Sequence, residues 1–226
     1  MSSKQEPPLA VCAHQLYEAI AKALTQSRGI RVEDLISACA AIVGETMIEA
    51  AGNFNPRSHN FTPGSRVLSD TVNALFCGDQ DLANAPADSV AGILFAKLKA
   101  CGFTSADFPV LKDVFTQLVE NTGKPAEWGR VPLSIPQLNY PYIMPLRVTY
   151  ETRSMIDNIF EPLGQNSRDR LHATVLTLAE ALCVTRDVLN RRIATALAFE
   201  TVNGMAKTAP MTDEAMAKLQ GEQKKQ

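Results

Sequence analysis

The chain has 226 residues, is 46% hydrophobic and 20% charged, and carries a formal net charge of −2. That apolar share excludes an intrinsically disordered chain, and the small net charge excludes a surface built wholly to hold a polyanion. No apolar run reaches the length of a bilayer span, so no membrane helix is expected.

In chain order, the first helix is predicted over 9–26, where Ala13, Leu16, Tyr17, Ile20 and Leu24 recur at spacings of three and four. A second follows over 31–51, with Glu33 and Asp34 in the first turn, where the helix dipole favours acids. Residues 52–64 then hold two prolines, two glycines and three asparagines, which predicts a loop. A third helix is expected from Ser65, read as its N-cap, to Gly78. A fourth covers about 87–101 with Asp88 as cap, and a fifth covers about 107–121. The wide apolar face of the fifth predicts a place at the centre of the core.

Alanine is absent between Ala126 and Ala173, and prolines recur from Pro125 to Pro145. Proline is excluded from helix interiors and central strands. The segment is nevertheless apolar, so it reads as an extended arm lying on its own domain or on a second subunit. Trp128, Tyr140 and Tyr142 are residue types that anchor interfaces, and they suggest a symmetric homodimer. Three further helices are predicted over 146–161, 167–183 and 185–204, with a charged terminal helix from Thr212. The expected fold is all-α: about eight helices in a bundle-like array with an irregular proline-rich middle. It divides as 1–121, an arm or linker over 122–145, and 146–226, or forms one continuous domain.

The polar opening Met-Ser-Ser-Lys-Gln-Glu-Pro-Pro lacks the apolar region of a signal peptide. Cys12, Cys39, Cys77, Cys101 and Cys183 are odd in number and widely spaced, which predicts five free thiols in a cytoplasmic protein. Phosphate-loop, dinucleotide, nucleophile-elbow and zinc-helix motifs are absent, so no cofactor and no metal are expected. Glu45 and Glu49 share a helix face and read as solvated; His14 and Glu18 read as a surface pair.

Two segments carry functional leads. The loop brings Arg57 and His59 close in sequence to Ser65 and Arg66 at a predicted helix start. Free N–H groups at a helix start, with arginines beside them, suit a small anionic ligand. His59 in that loop could also serve as a general acid or base. The plainer reading of the same residues, a crossover whose asparagines bond their own backbone, is favoured over both.

The second lead is Leu178 to Ile193, with Ala179 at a close helix contact, Leu178, Leu182, Val184 and Leu189 at apolar positions, and Thr185 as N-cap. Its ending, Leu189-Asn190-Arg191-Arg192-Ile193, resembles the recognition helix of arabinose-regulator-type transcription factors. That resemblance implies that Arg186, Asp187, Asn190 and Arg191 face the major groove or its phosphates. Cys183 stands where the family's turn usually holds glycine. The leading expectation is a protein that binds a partner or a small ligand without catalysis. The alternative is a DNA-binding regulator using 178–193, and an enzyme built on His59 ranks third.

Overall fold

A computed structural model describes residues 9–27, 29–52, 61–78, 81–121, 128–164 and 166–223. The described residues form nine α-helices joined by turns and short 3-10 segments, without strands. They are α1 (Leu9–Leu24), α2 (Val32–Ala50), α3 (Asp70–Phe76), α4 (Val90–Ala100), α5 (Leu111–Glu120), α6 (Pro145–Phe160), α7 (Ser167–Thr185), α8 (Arg191–Met205) and α9 (Asp213–Gln223). The all-α expectation holds. Among the described residues no helix is long and apolar enough to cross a membrane.

The centre is α2, not the predicted fifth helix. Every residue of α2 from Asp34 to Ile48 is buried, and the helix touches α1, α3, α6, α7 and α8. A helix covered on all sides must be apolar nearly all round, and the stretch Leu35–Val43 is. Gly44 sets the approach of α8: a Cβ there would stand 2.8 Å from the Ala206 backbone nitrogen and 2.6 Å from the Met205 Cβ. By contrast α5 buries only Leu111, Val114 and Leu118 and leaves Val110 and Val119 exposed. It is a peripheral helix lying on α8.

Helix starts follow their caps. Ser69, not Ser65, caps α3 through the Val72 N–H, and Ser89, not Asp88, caps α4 through the Gly92 N–H. Asn190 accepts from the Arg192 and Ile193 N–H groups and starts α8 six residues later than the sequence suggests.

The proline-rich arm lies on its own chain. Val131, Leu133 and Ile135 alternate inward, as an extended strand-like segment requires. Its far end is tied to the first turn of α2. Asp34 accepts from the Tyr142 N–H at 2.6 Å and the Ile143 N–H at 3.2 Å, and Asn139 donates to Glu33 at 2.9 Å. Arg130 gathers the carbonyls of Pro141, Tyr142 and Ile143 and so folds the arm back on itself. Val131 seats against Gly204, where a Cβ would come within 2.6 Å of it. A single hydrophobic cluster includes residues of α1–α5, the arm and α6–α9.

Three local readings need correction. Cys101 and Cys183 are joined by a disulfide, and Cys12, Cys39 and Cys77 are the free cysteines. Glu45 is buried rather than solvated: Arg153 of α6 holds it through bonds of 2.7 and 3.3 Å and also bonds the Met211 carbonyl. His14 pairs with Glu180 of α7 at 2.7 Å, not with Glu18.

Candidate functional site

The loop lead divides. Arg57 and His59 lie outside the described residues. Ser65 and Arg66 are engaged in a strap along the end of α8. The Gly64 N–H donates to the Ala209 carbonyl, Ala209 returns a bond to Ser65, and Val67 donates to Lys207, at 2.9, 2.7 and 2.9 Å. Arg66 Nη1 donates to Thr208 Oγ1 at 2.6 Å and to the Gly204 carbonyl at 3.3 Å. A cation against the last carbonyls of a helix is favoured by the dipole. Ser65 is therefore no helix cap, and Arg66 caps the C-terminus of α8.

The second lead also changes shape. Thr185 is buried in the last turn of α7 and bonds the Ala181 carbonyl at 2.7 Å, so it starts no helix. Asn190 is the cap of α8. Arg191 donates to the Gly102 carbonyl at 2.8 Å, lies over the Phe103 ring and pairs with Asp187; Arg186 also contacts Asp187. From Leu197 to Ala209 every residue is buried, so only the first turns of this helix reach solvent.

The same helix and the turn that follows it carry a row of polar groups that the sequence reading passed over. Glu200, Asn203 and Lys207 lie three and four residues apart, on one face, and are 6%, 2% and 5% exposed. Lys207 Nζ donates to Asn203 Oδ1 at 2.6 Å and sits 4.4 Å from the centre of the Phe115 ring. Asn203 in turn donates to the Val114 carbonyl of α5 at 3.3 Å. Burial pushes the Lys207 ammonium down to about 8; the Cys77 thiol opposes the shift and the Arg66 charge adds to it.

Glu200 closes the other end of the row. Its carboxylate accepts from the Ser134 N–H at 2.7 Å and from the Ser134 hydroxyl, which latches the arm to α8. Burial raises its pKa above the usual carboxylate range, and the two Ser134 bonds work against the rise. Glu200 opens on a cleft of about 300 Å³ between α5, α8 and the arm. Asp113 and Glu120 of α5 and Arg192 of α8 stand at its edge, and Val110, Val114 and Ala196 supply apolar wall. The side chains of Asp113, Glu120 and Arg192 make no hydrogen bond or ion pair among the described residues. Three carboxyl groups thus face one guanidinium, and one of the three is buried, where a charge interacts more strongly than in water.

The signal for this row was present in the sequence: polar residues at core spacing in an apolar helix. Among the described residues no group of three or more His, Cys, Asp or Glu could hold a metal ion. No family model, curated protein or solved structure matches the chain.

Proposed function

We propose that this chain is a non-catalytic binding protein that takes a small organic cation, a short aliphatic diamine, into the cleft between α5 and α8. The observation that carries the reading is Glu200, a residue only 6% exposed that still lines an open cleft. One ammonium would pair with Glu200 and the other with Asp113 or Glu120, while the methylenes lie on Val110 and Val114. Functional sites are where buried ionisable groups at clefts cluster.

The pH dependence follows from the raised pKa of Glu200. Only the ionised carboxylate holds an ammonium. Binding therefore weakens as pH falls, and the loss begins at a higher pH than an ordinary glutamate would give. Titration calorimetry with 1,4-diaminobutane between pH 5 and pH 8 is expected to show this decline; an affinity that rises toward acid would contradict it.

Self-association belongs to the same reading. Leu138 and Tyr142 of the arm stay 84% and 76% exposed, which suits a homodimer contact through that edge. Sedimentation equilibrium is expected to give twice the chain mass, and a Leu138→Asp variant the single mass.

A further inference from the structure

The Cys101–Cys183 disulfide stands at one end of a segment whose other end walls the cleft between α5 and α8. Cys101 is the C-cap of α4, Cys183 lies in the last turn of α7, and both are partly exposed. The three free cysteines differ: Cys12, Cys39 and Cys77 are 0%, 1% and 2% exposed. A reductant in solvent therefore meets this bond first, and the buried thiols are shielded from exchange with it.

From Cys101 the chain runs along α8 to the cleft. Arg191, in the first turn of α8, donates to the Gly102 carbonyl at 2.8 Å and lies 5.3 Å from the centre of the Phe103 ring. It also pairs with Asp187, four residues after Cys183, so one side chain bridges the two places that the disulfide joins. Phe103 is 2% exposed and leans on Phe108, with 6.3 Å between ring centres. Phe108 packs edge-on against Phe199 of α8 at 6.2 Å, and the Thr195 hydroxyl donates to the Asp107 carbonyl. The next residues, Pro109 and Val110, line the cleft together with Asp113 and Glu200. Thus α8 holds the segment 101–110 along its length, and the disulfide fixes its start to α7.

We propose that the Cys101–Cys183 bond is a reversible redox switch on this cleft. Oxidised, it fixes the segment that carries Pro109 and Val110; reduced, it lets that wall loosen. A dithiol reductant supplies the two electrons. One of its thiolates attacks a sulfur of the bond, and the other cysteine leaves as a thiolate and takes a proton. The reductant's second thiol then closes its own disulfide and releases the remaining cysteine, which also takes a proton. The fold survives the step because Phe103, Phe108 and the bonds from α8 still anchor the segment, and Arg191 keeps the two cysteines' surroundings together for re-oxidation. A wall that must be ordered on binding costs affinity. By linkage, a ligand that needs the fixed wall makes the bond harder to reduce by the same factor. The effect on ligand rests on the diamine reading of the cleft; the loosening of its wall does not.

Amide shifts of the whole protein, oxidised and in excess dithiothreitol at pH 7, test the switch, while alkylation and mass spectrometry count the accessible thiols. Reduction is expected to add two labels rather than five to the native protein and to keep its circular dichroism. It is also expected to move the amides of Val110, Asp113 and Arg192 along with those of 101–108. A Cys183→Ala variant is expected to show the reduced position of Val110 without reductant, and no further change with it. 1,4-Diaminobutane is expected to bind the reduced protein at least threefold more weakly than the oxidised one. Shifts confined to the residues beside Cys101 and Cys183 would overturn the switch. So would labelling of all five cysteines with loss of helix, or a bond that withstands the reductant until the protein unfolds. Equal diamine affinity in the two states would overturn its effect on ligand. If the diamine binds neither state, the diamine reading fails, and the amide shifts still decide the switch.

Discussion

At the scale of single residues, most of the chemistry sits in groups whose partners are far away in sequence. Glu45 lies 108 residues from Arg153, and His14 lies 166 from Glu180. Helical spacing shows which residues share a face, but not what is brought against that face. That is why Glu45 reads as solvated although it is buried. Lys207 makes the energetic consequence measurable. In the unfolded chain it holds its proton up to the ordinary lysine range, and in the fold only up to about 8. Between those values the unfolded state binds more protons, so stability rises with pH across the window; below about 8 the burial penalty is complete. A Lys207→Met variant lacks this dependence. The melting temperature of the parent protein is expected to gain on that of the variant between pH 8 and pH 10.5, and a constant difference would contradict the assignment. Gly44 is the opposite case, a residue that matters for what it lacks. With the Ala206 backbone 2.8 Å from any added Cβ, Gly44→Ala has to push α8 away from α2. Overpacking of this kind costs about 1–3 kcal/mol, and urea unfolding is expected to show a loss in that range.

At the scale of elements, each of the nine helices among the described residues, against about eight expected, lies in a segment read as helical from the sequence, and most boundaries fall within a few residues. The errors occur where two capping residues compete. Ser65 and Ser69 are both good caps, and tertiary pairing of 64–67 with the end of α8 selects the second. Thr185 and Asn190 compete in the same way, and packing of α7 through Thr185 selects Asn190. The place of the arm was open from sequence because prolines define what a segment cannot be, not what it lies on. Asp34 and Glu33, read there as dipole acids, are the groups that hold it. The disulfide was also illegible, because nothing in the spacing of Cys101 and Cys183 brings them together; only the packing of α4 against α7 does. Its closed loop spans 82 residues, for which chain entropy gives about 4.5 kcal/mol. Thiol titration of the denatured protein is expected to find three thiols before reduction and five after. Cys101→Ala with Cys183→Ala is expected to lower unfolding stability by about 2–4 kcal/mol.

At the scale of the whole molecule, α2 and α8 cross at Gly44 as a buried pair, and the other elements cover them. Such a centre leaves function to the seams between its cover and itself. The seam between α5 and α8 exposes the buried Glu200 carboxyl. The expectation of a ligand-binding helical protein is kept as a proposal, while the residues that carry it move from Ser65 and Arg66 to this seam. The sequence could not place them there, since α5 and α8, which line the cleft, are separated by the whole of residues 121–190. The central claim is that Glu200 holds an ammonium group. Its direct test is calorimetric titration of 1,4-diaminobutane at pH 8 into the parent protein and a Glu200→Gln variant that keeps the same circular dichroism. The account predicts saturable binding to the parent and at least a tenfold loss in the variant. Equal affinity in both, or no binding to the parent protein, would contradict it.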